Sequence, residues 1–531
     1  MNVKNTIPIV IGVSGHRALR AEDYDTLYAS VTGELQKLKE QCPHSPLVLL
    51  TSLAEGGDLL CADAAAALNI PIVAALPMER EQFTKDFPEA DKARFDAHCA
   101  KAEAVFVTPW TEQPPAEPGK DFLYRQAGIY VSAHSHVLLA LWDGDEAGWD
   151  GCGTSAAAAF SLRGAYRPKN GMALRSADNT AVLHIITPRA GATGAAGEAR
   201  MLGNDAAFHD ILAKTDEFNR SAAKTDAAWE LLPEHEREDA VLDRLEALYR
   251  KADALSVENA KKFRCVLALL AAASTIVTAA FLLYDEAELL WMLFVCGAML
   301  IGLWICRRYA ERSDCHQRYI EYRALAEGLR VQAFLRYAGS TLEAAELFTW
   351  TQQTETAWVM DALCAVSVGE APYREHDILA CWVEEQRSYH ESAEKKALRT
   401  FSRSDRVVHI ALVFSVTLYI LALSFELLCG GLVFSPLLPA TGIGVWRAAL
   451  KIALGSVSAA TLFIANYYGR LSLPRKLSDH GKMARFYAKM SEKLSAQGQT
   501  DELLSVLARE ELAENGNWCS YQRDNTPDIS L

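Results

Sequence analysis

A chain of 531 residues with a net charge of −14 and a pI near 5.5 has room for more than one domain and is a poor electrostatic match for a nucleic acid. Its mean hydropathy is close to zero, as in soluble proteins, but the apolar residues concentrate after residue 260. The twelve cysteines are scattered and include no CxxC pair, so neither a zinc pattern nor a disulfide framework is present.

Residues 1–17 lack the charged-then-apolar pattern of a signal peptide, which places the N-terminal region in a reducing cytosol. Residues 7–13 (IPIVIGV) form a short apolar run of the kind that becomes a buried parallel strand, and it ends in Ser14-Gly15-His16-Arg17. A helical stretch covers residues 23–39. A second strand, 47–50, leads into TSLAEGGD, followed by an alanine-rich helix at 59–68 and a third strand at 70–76. Further strands are expected at 105–108, 136–142 and 183–187, the last of the set. The Gly- and Ala-rich residues 190–206 read as a loop. Strands alternating with helices define an α/β domain with a mainly parallel, Rossmann-like sheet.

Ligands bind such sheets at the carboxyl ends of the strands, where loops meet helix N-termini. Four polar or glycine-rich turns fall there: Ser14 to Arg17, Glu55-Gly56-Gly57-Asp58, Asp143-Gly144, and Gly151-Cys152-Gly153-Thr154. Glycines let a backbone approach a phosphate, and free N–H groups at a helix start attract it. Nucleotide binding is therefore the expected task of this domain. Arg17 could form bidentate bonds to a phosphate, or a surface salt bridge. His16 more often serves a turn than chemistry. Glu55 and Asp58 could bind a ribose hydroxyl, or, for Asp58 above all, sit as helix N-terminal acids favoured by the dipole. Tyr124, Arg125 and Tyr130 could stack on a base, although helix packing on the sheet accounts equally for Tyr130.

The run GVSGHR, SLAEGGDLLCADAA, LPMEREQFTKDF, YRQAGIYVSAHSHVLLALWDG and CGT resembles the SLOG superfamily, Rossmann-like domains related to the DprA and LOG (lysine-decarboxylase-like) proteins. The resemblance covers about residues 7–190 and implies binding of nucleotides or NAD-derived signals. It implies a pocket lined by Gly15, His16, Arg17, Glu55, Gly56, Asp58, Asp143, Gly153 and Thr154. LOG-type hydrolases carry a PGGxGTxxE motif, whereas this chain has Ala157 at the glutamate position. Without that carboxylate, stabilisation of a ribosyl cation or of the attacking water is in doubt, and ligand sensing is favoured over catalysis. No catalytic residue, metal ligand or cofactor is assigned beyond a nucleotide-derived ligand.

Residues 216–263 are mostly helical by pattern, with Trp229, Leu231 and Leu232 before a break at Pro233 and with Val241, Leu242, Leu245, Leu248 and Tyr249 at helical spacing. Residues 265–284 and 289–306 carry no charge. About twenty helical residues cross a hydrocarbon core of roughly 30 Å, so these are two transmembrane helices joined by the acidic turn at 285–288. Cys265, Cys296 and Cys306 lie within or beside these runs as small hydrophobes. Residues 407–428 and 452–468 form a second hairpin, with His409 and Glu426 near the ends of its first segment and Asn466 in the other. Lys261, Lys262 and Arg264 precede the first hairpin, and Arg307, Arg308 and Arg312 follow it. Lys395, Lys396, Arg403 and Arg406 precede the second, and Arg470, Arg475 and Lys476 follow it. Positive flanks stay cytoplasmic, so both ends of each hairpin lie inside. Arg447 and Lys451 in the second connection run against that pattern, although Lys451 can snorkel to the interface.

The hairpins read as a repeat. Ser313-Asp314 and Ser478-Asp479, each expected to start a helix, are 165 residues apart, as are Tyr322, Glu327 and Leu329 from Tyr487, Glu492 and Leu494. The stretch YRALAEGLR (322–330) and the tail LAREELAENGNW (507–518) resemble SLATT modules, two-helix membrane domains found fused to SLOG sensors. Arg323, Glu327 and Arg330 also suit surface pairing at i, i+4 and i, i+3, compatible with oligomer contacts. The resemblance covers about residues 240–520 and implies a homo-oligomeric, pore-forming or membrane-disrupting effector in bacterial antiphage or conflict signalling. The expected organisation is a SLOG-like domain at 1–206, a connecting helix, hairpin and cytoplasmic helix at 207–345, and a second helical region with its hairpin at 346–531. The fold class is α/β, a Rossmann-like N-domain followed by an all-α membrane region with four transmembrane helices. The expected partners are the lipid bilayer, a nucleotide-derived small molecule and copies of the chain itself, but no nucleic acid. The expected location is the inner (plasma) membrane with both termini cytoplasmic. The alternative is a membrane-anchored nucleotide or nucleoside hydrolase of LOG type.

Overall fold

A computed structural model describes residues 5–164, 166, 180–226, 230–232, 239–372, 375–429, 442–470 and 473–524; Trp229, Pro233 and the side chain of Arg470 lie outside the described residues. In chain order the first part forms β1 (Ile9–Gly15), α1 (Tyr24–Gln41), β2 (Leu47–Thr51), α2 (Gly57–Ala67), β3 (Ile72–Leu76), α3 (Arg80–Phe83), α4 (Glu89–Cys99), β4 (Ala104–Val107), α5 (Lys120–Ala133), β5 (Val137–Trp142), α6 (Thr154–Arg163), β6 (Ala181–Ile186), β7 (Ala199–Gly203) and α7 (Asp205–Ala222). Helices alone follow among the described residues: α8 (Ala240–Glu286), α9 (Met292–Ser313), α10 (Cys315–Tyr337), α11 (Ala344–Leu347), α12 (Trp350–Glu355), α13 (Ala357–Ser367), α14 (Glu385–Leu428), α15 (Ile443–Arg470), α16 (Leu473–Gln497) and α17 (Asp501–Asp524), with a π-helical turn at Leu379–Glu384.

The strands are apolar on both faces because both faces are covered. Ile9, Ile11 and Val13 of β1 enter one core with α1, α2, α4 and α7, while Val10 enters the other with Tyr130 and Val131 of α5 and Ala157 of α6. β2 and β5 alternate in the same way, with Leu49 and Leu139 on the first face and Val48 and Leu138 on the second. The sheet order is β4-β3-β2-β1-β5-β6-β7. All neighbours pair parallel except β6 and β7, which are antiparallel. The chain winds outward from β1 to β4 and then crosses to β5 on the other side of β1. The crevice of such a sheet lies at the carboxyl ends of the two strands flanking that switch, here β1 and β5.

β7 corrects the reading of 190–206 as a loop. Its sequence, ARMLG, carries no apolar run, and as an edge strand it buries no residue fully. Its pairing with β6, from Ala181↔Gly203 to Ile185↔Ala199, is a tertiary choice that local composition does not announce.

The chain forms two compact units, each assembled from separate stretches. The first takes Met1–Leu255, Glu321–Ile378 and Gln497–Cys519. Within it, Ala365 and Val368 join the second face of the sheet core, and the fully buried Trp358 lies 6.3 Å, centroid to centroid, from both Phe218 and Tyr322. The reading of Arg323, Glu327 and Arg330 as surface charges is also corrected. The i, i+4 and i, i+3 pairs form, but Glu327 and Arg330 are buried and extend the network to Glu511 of α17 (Arg330 Nη2 to Oε1, 2.6 Å), while Arg323 reaches Asp253 of α8 at 2.9 Å. Helical spacing foretold the pairs; the covering helices come from distant sequence.

The second unit takes Ser256–Ile320, Leu379–Ala496 and Ser520–Leu531 and contains the apolar segments. Four helical stretches, Ala240–Glu286, Met292–Tyr337, Leu379–Leu428 and Ile443–Gln497, are long and apolar enough to cross a membrane. Their most apolar windows are at most 12% buried within the protein, with Phe294, Leu462 and Ile410 far out on the surface. Leaving so much apolar area in water is costly at about 25 cal/mol per Å², and lipid removes that cost. The acids of the first connection begin inside the helix, since α8 runs on to Glu286. Asp314 adopts the left-handed conformation (φ 45°) and separates α9 from α10, as expected there, but Ser478 and Asp479 lie inside α16, which starts at Leu473.

Candidate functional site

A cleft of about 360 Å³ opens at the carboxyl ends of β1 and β5. Its floor is the end of β1, Val13 to Arg17; Ser52, Ala54 and Asp58 come from the β2–α2 turn; α5 and the N-terminus of α6 form further walls. Gly15, His16, Arg17, Asp58, Gly153 and Thr154 line it. Glu55, Gly56 and Asp143 lie outside its lining.

The glycines divide by role. Gly56 has φ 85°, and a Cβ there would meet the Arg17 carbonyl oxygen at 2.2 Å. A Cβ on Gly15 would stand 2.7 Å from Gly57 Cα. These residues let the β1 and β2 loops close on each other, and the Gly57 N–H donates to the His16 carbonyl at 2.9 Å. Gly153, by contrast, has open space where its Cβ would be, at the N-cap of α6.

Asp58 is the clamp between those loops. Its Oδ1 accepts from Gly15 N (2.9 Å), and its Oδ2 from Thr51 Oγ1 (3.1 Å) and Ala54 N (3.4 Å). Burial pushes its carboxyl up to about 6, against the pull of these hydrogen bonds. With both oxygens engaged it positions the loops, and its place in the first turn of α2 is also electrostatically favourable.

His16 turns toward Asp143. The Asp143 N–H donates to His16 Nε2 at 3.1 Å, and burial lowers the His16 pKa despite the carboxylate 3.4 Å away. Burial would raise Asp143, but the Asp145 amide, His16 and Arg189 (Nε to Oδ2, 2.6 Å) hold it below the usual carboxylate range. Asp143 thus braces His16 from outside the cleft.

Arg17 is exposed and makes no ion pair with any described residue; its guanidinium lies 4.8 Å from the centroid of the Tyr124 ring. Arg125 is instead committed to Glu112 (2.8 Å) and to the Gly151 carbonyl (3.1 Å), which holds the loop before α6. Tyr130 packs on the sheet, its hydroxyl bonded to the Gly369 backbone. Of the three aromatic or planar candidates, only Tyr124 lines the cleft.

Of the α5 wall residues the sequence reading named Tyr124 and missed Asp121, Gly128 and Val131. Asp121, Tyr124, Gly128 and Val131 recur at i, i+3, i+7 and i+10, a stripe with small residues that signals one helix face turned to a ligand or a neighbour. Ser14 and Ser52 were signalled by position alone, at or just after a strand end. Ala157 also lines the cleft.

No family model and no curated protein matches this chain.

Proposed function

We propose that the chain is a membrane effector whose α/β domain, of SLOG type, senses a nucleotide or NAD-derived ligand and whose SLATT-type hairpins then open a pore or disturb the bilayer in antiphage or other conflict signalling. The observation that carries this reading is the joining, in one chain, of a cleft at the sheet's switch point bearing an unpaired arginine with four helices long and apolar enough to cross a membrane. Helix α5 adds support. One face of it lines the cleft, while Tyr130 and His134 bond to Gly369 and Glu343 (His134 Nε2 to Oε1, 2.8 Å) in the same unit. A ligand that prefers one position of α5 therefore has a route to the helical segments, and differential affinity for two states supplies the switch. The basic flanks support a topology with both termini on the cytoplasmic side of the inner membrane.

Calorimetric screening of the purified protein with nucleotides, NAD and cyclic ADP-ribose, followed by dye leakage from liposomes with and without each binder, tests the proposal. Binding accompanied by ligand-dependent leakage is expected. A folded protein that binds none of them removes the sensing half, and binding without leakage removes the effector half.

A further inference from the structure

Thr154 is 7% exposed, lines the cleft, and its hydroxyl has no hydrogen-bond partner among the described residues. That hydroxyl is free to bond a group in the cleft, and it stands at the start of a helix whose first N–H groups have no intrahelical acceptor. The hydroxyls of Ser14 and Ser52 in the same lining are also without partners among the described residues. Together with Arg17 these are donors awaiting an acceptor-rich group, as a phosphate is.

The charge around the cleft limits what that group can be. Lys120 is paired with Asp86 (2.9 Å) and Arg125 with Glu112 (2.8 Å), which leaves Arg17 as the cleft cation without a carboxylate among the described residues. Two carboxylates, Asp58 and Asp121, are in the lining. Among the described residues a triphosphate would meet one free cation and two acids, so it would need a divalent ion as counter-charge. Protein-held Mg²⁺ takes one or two carboxylates as well as the phosphates. Asp58 has both oxygens engaged by the loops, and Asp121 lies near Cys152, whose thiol pKa is raised by burial first and then by that carboxylate. Among the described residues no group of three or more His, Cys, Asp or Glu side chains could hold a metal ion.

We infer that the cleft selects a phosphate ester carrying no more than about two negative charges, a nucleoside monophosphate or a phosphodiester-type nucleotide, and holds it without a divalent cation through Arg17, Thr154 and the α6 N-terminus. This rests on the nucleotide-sensing reading above and narrows it to a ligand class. Polyphosphates are rejected by Asp58 and Asp121, and neutral nucleosides leave the Thr154 hydroxyl and Arg17 unsatisfied.

The test is titration calorimetry on the full-length protein in detergent with AMP, cyclic AMP, cyclic ADP-ribose, ATP and adenosine, each in Mg²⁺ and in EDTA. At least one of the first three is expected to bind at least tenfold tighter than ATP or adenosine, equally in Mg²⁺ and EDTA. Arg17→Ala should weaken it about 10- to 100-fold and Thr154→Val about 3- to 10-fold, while Thr154→Ser stays near the parent. Melting curves establish that each variant is folded. Tightest binding by ATP that vanishes in EDTA, or low-charge binding indifferent to both substitutions, overturns the inference while leaving nucleotide sensing intact. No binding by any of the five overturns the inference, and sensing stands or falls separately on the wider ligand screen.

Discussion

Lys451 of α15 places its ammonium 2.8 Å from the carboxylate of Glu286, the last residue of α8, so the two hairpins are tied at the end away from their basic flanks. One turn deeper, a Cβ on Gly455 would meet Leu282 Cδ1 at 2.6 Å, so the same two helices are in close contact there. Arg447 makes a two-pronged pair with Glu426 (2.5 and 2.7 Å). The two cations that run against the positive-inside pattern are therefore each matched by an acid at the same end.

The Lys451–Glu286 contact predicts a charge-swap result. Lys451→Glu or Glu286→Lys alone should raise basal leakage of reconstituted liposomes and lower the detergent melting temperature by a few degrees, because each puts like charges together. The double swap should restore most of both. Additive damage in the double variant would show that the two residues do not interact.

Gly455→Leu should be worse than either charge variant. The added side chain fits only if the Leu282 side chain moves aside, and overpacking typically costs about 1–3 kcal/mol. Gly444, beside which nothing stands within 4 Å, is the control, and Gly444→Ala should leave the melting temperature within about a degree.

Asp58 predicts both a fold effect and a pH effect. Asp58→Ala leaves the Gly15 and Ala54 N–H groups and the Thr51 hydroxyl without their acceptor in a buried place, at about 1–3 kcal/mol for each such loss, though not additively. Asp58→Asn keeps part of the clamp and should cost less. Because burial raises this carboxyl to about 6, the folded state holds the proton more tightly than the unfolded chain. Its stabilising contribution is complete below about pH 4 and fades as pH rises through 6. Melting temperatures between pH 4 and 7 should carry that decline in the parent and lose it in Asp58→Asn.

The buried network at Arg330 predicts release of the C-terminal helix. Arg330→Met leaves Glu327 and Glu511 buried without their shared cation, a loss that typically costs about 3–5 kcal/mol. Limited proteolysis should then cut between α16 and α17 well before the parent is cut. Unchanged digestion kinetics would contradict a role for the network in holding α17.

Under the proposed function, substitution of Tyr130 distinguishes ligand binding from the membrane response. Tyr130→Phe keeps the packing on the sheet and removes both bonds to Gly369. Ligand affinity should change less than threefold while ligand-dependent leakage falls severalfold. Equal losses in both would place Tyr130 in folding rather than in transmission.

What the sequence by itself determined were the features with a local cause. Bounded apolar runs located six of the seven strands, since a strand buried on both faces must be apolar throughout. Long apolar runs beside basic flanks located the four apolar helices, because lipid demands length and apolarity and little else. Glycines at strand ends pointed to the neighbourhood of the cleft. Tertiary structure alone decided the rest. It made Gly56 and Asp58 parts of a loop clamp, because their partners lie in the β1 turn some forty residues earlier. It paired β7, which has no apolar signature, onto β6. It buried the Arg330 network beneath α17, and it joined Glu321–Ile378 and Gln497–Cys519 to the N-terminal sheet domain in one compact unit. Such contacts depend on which distant segments meet, and no local pattern of side chains encodes that meeting.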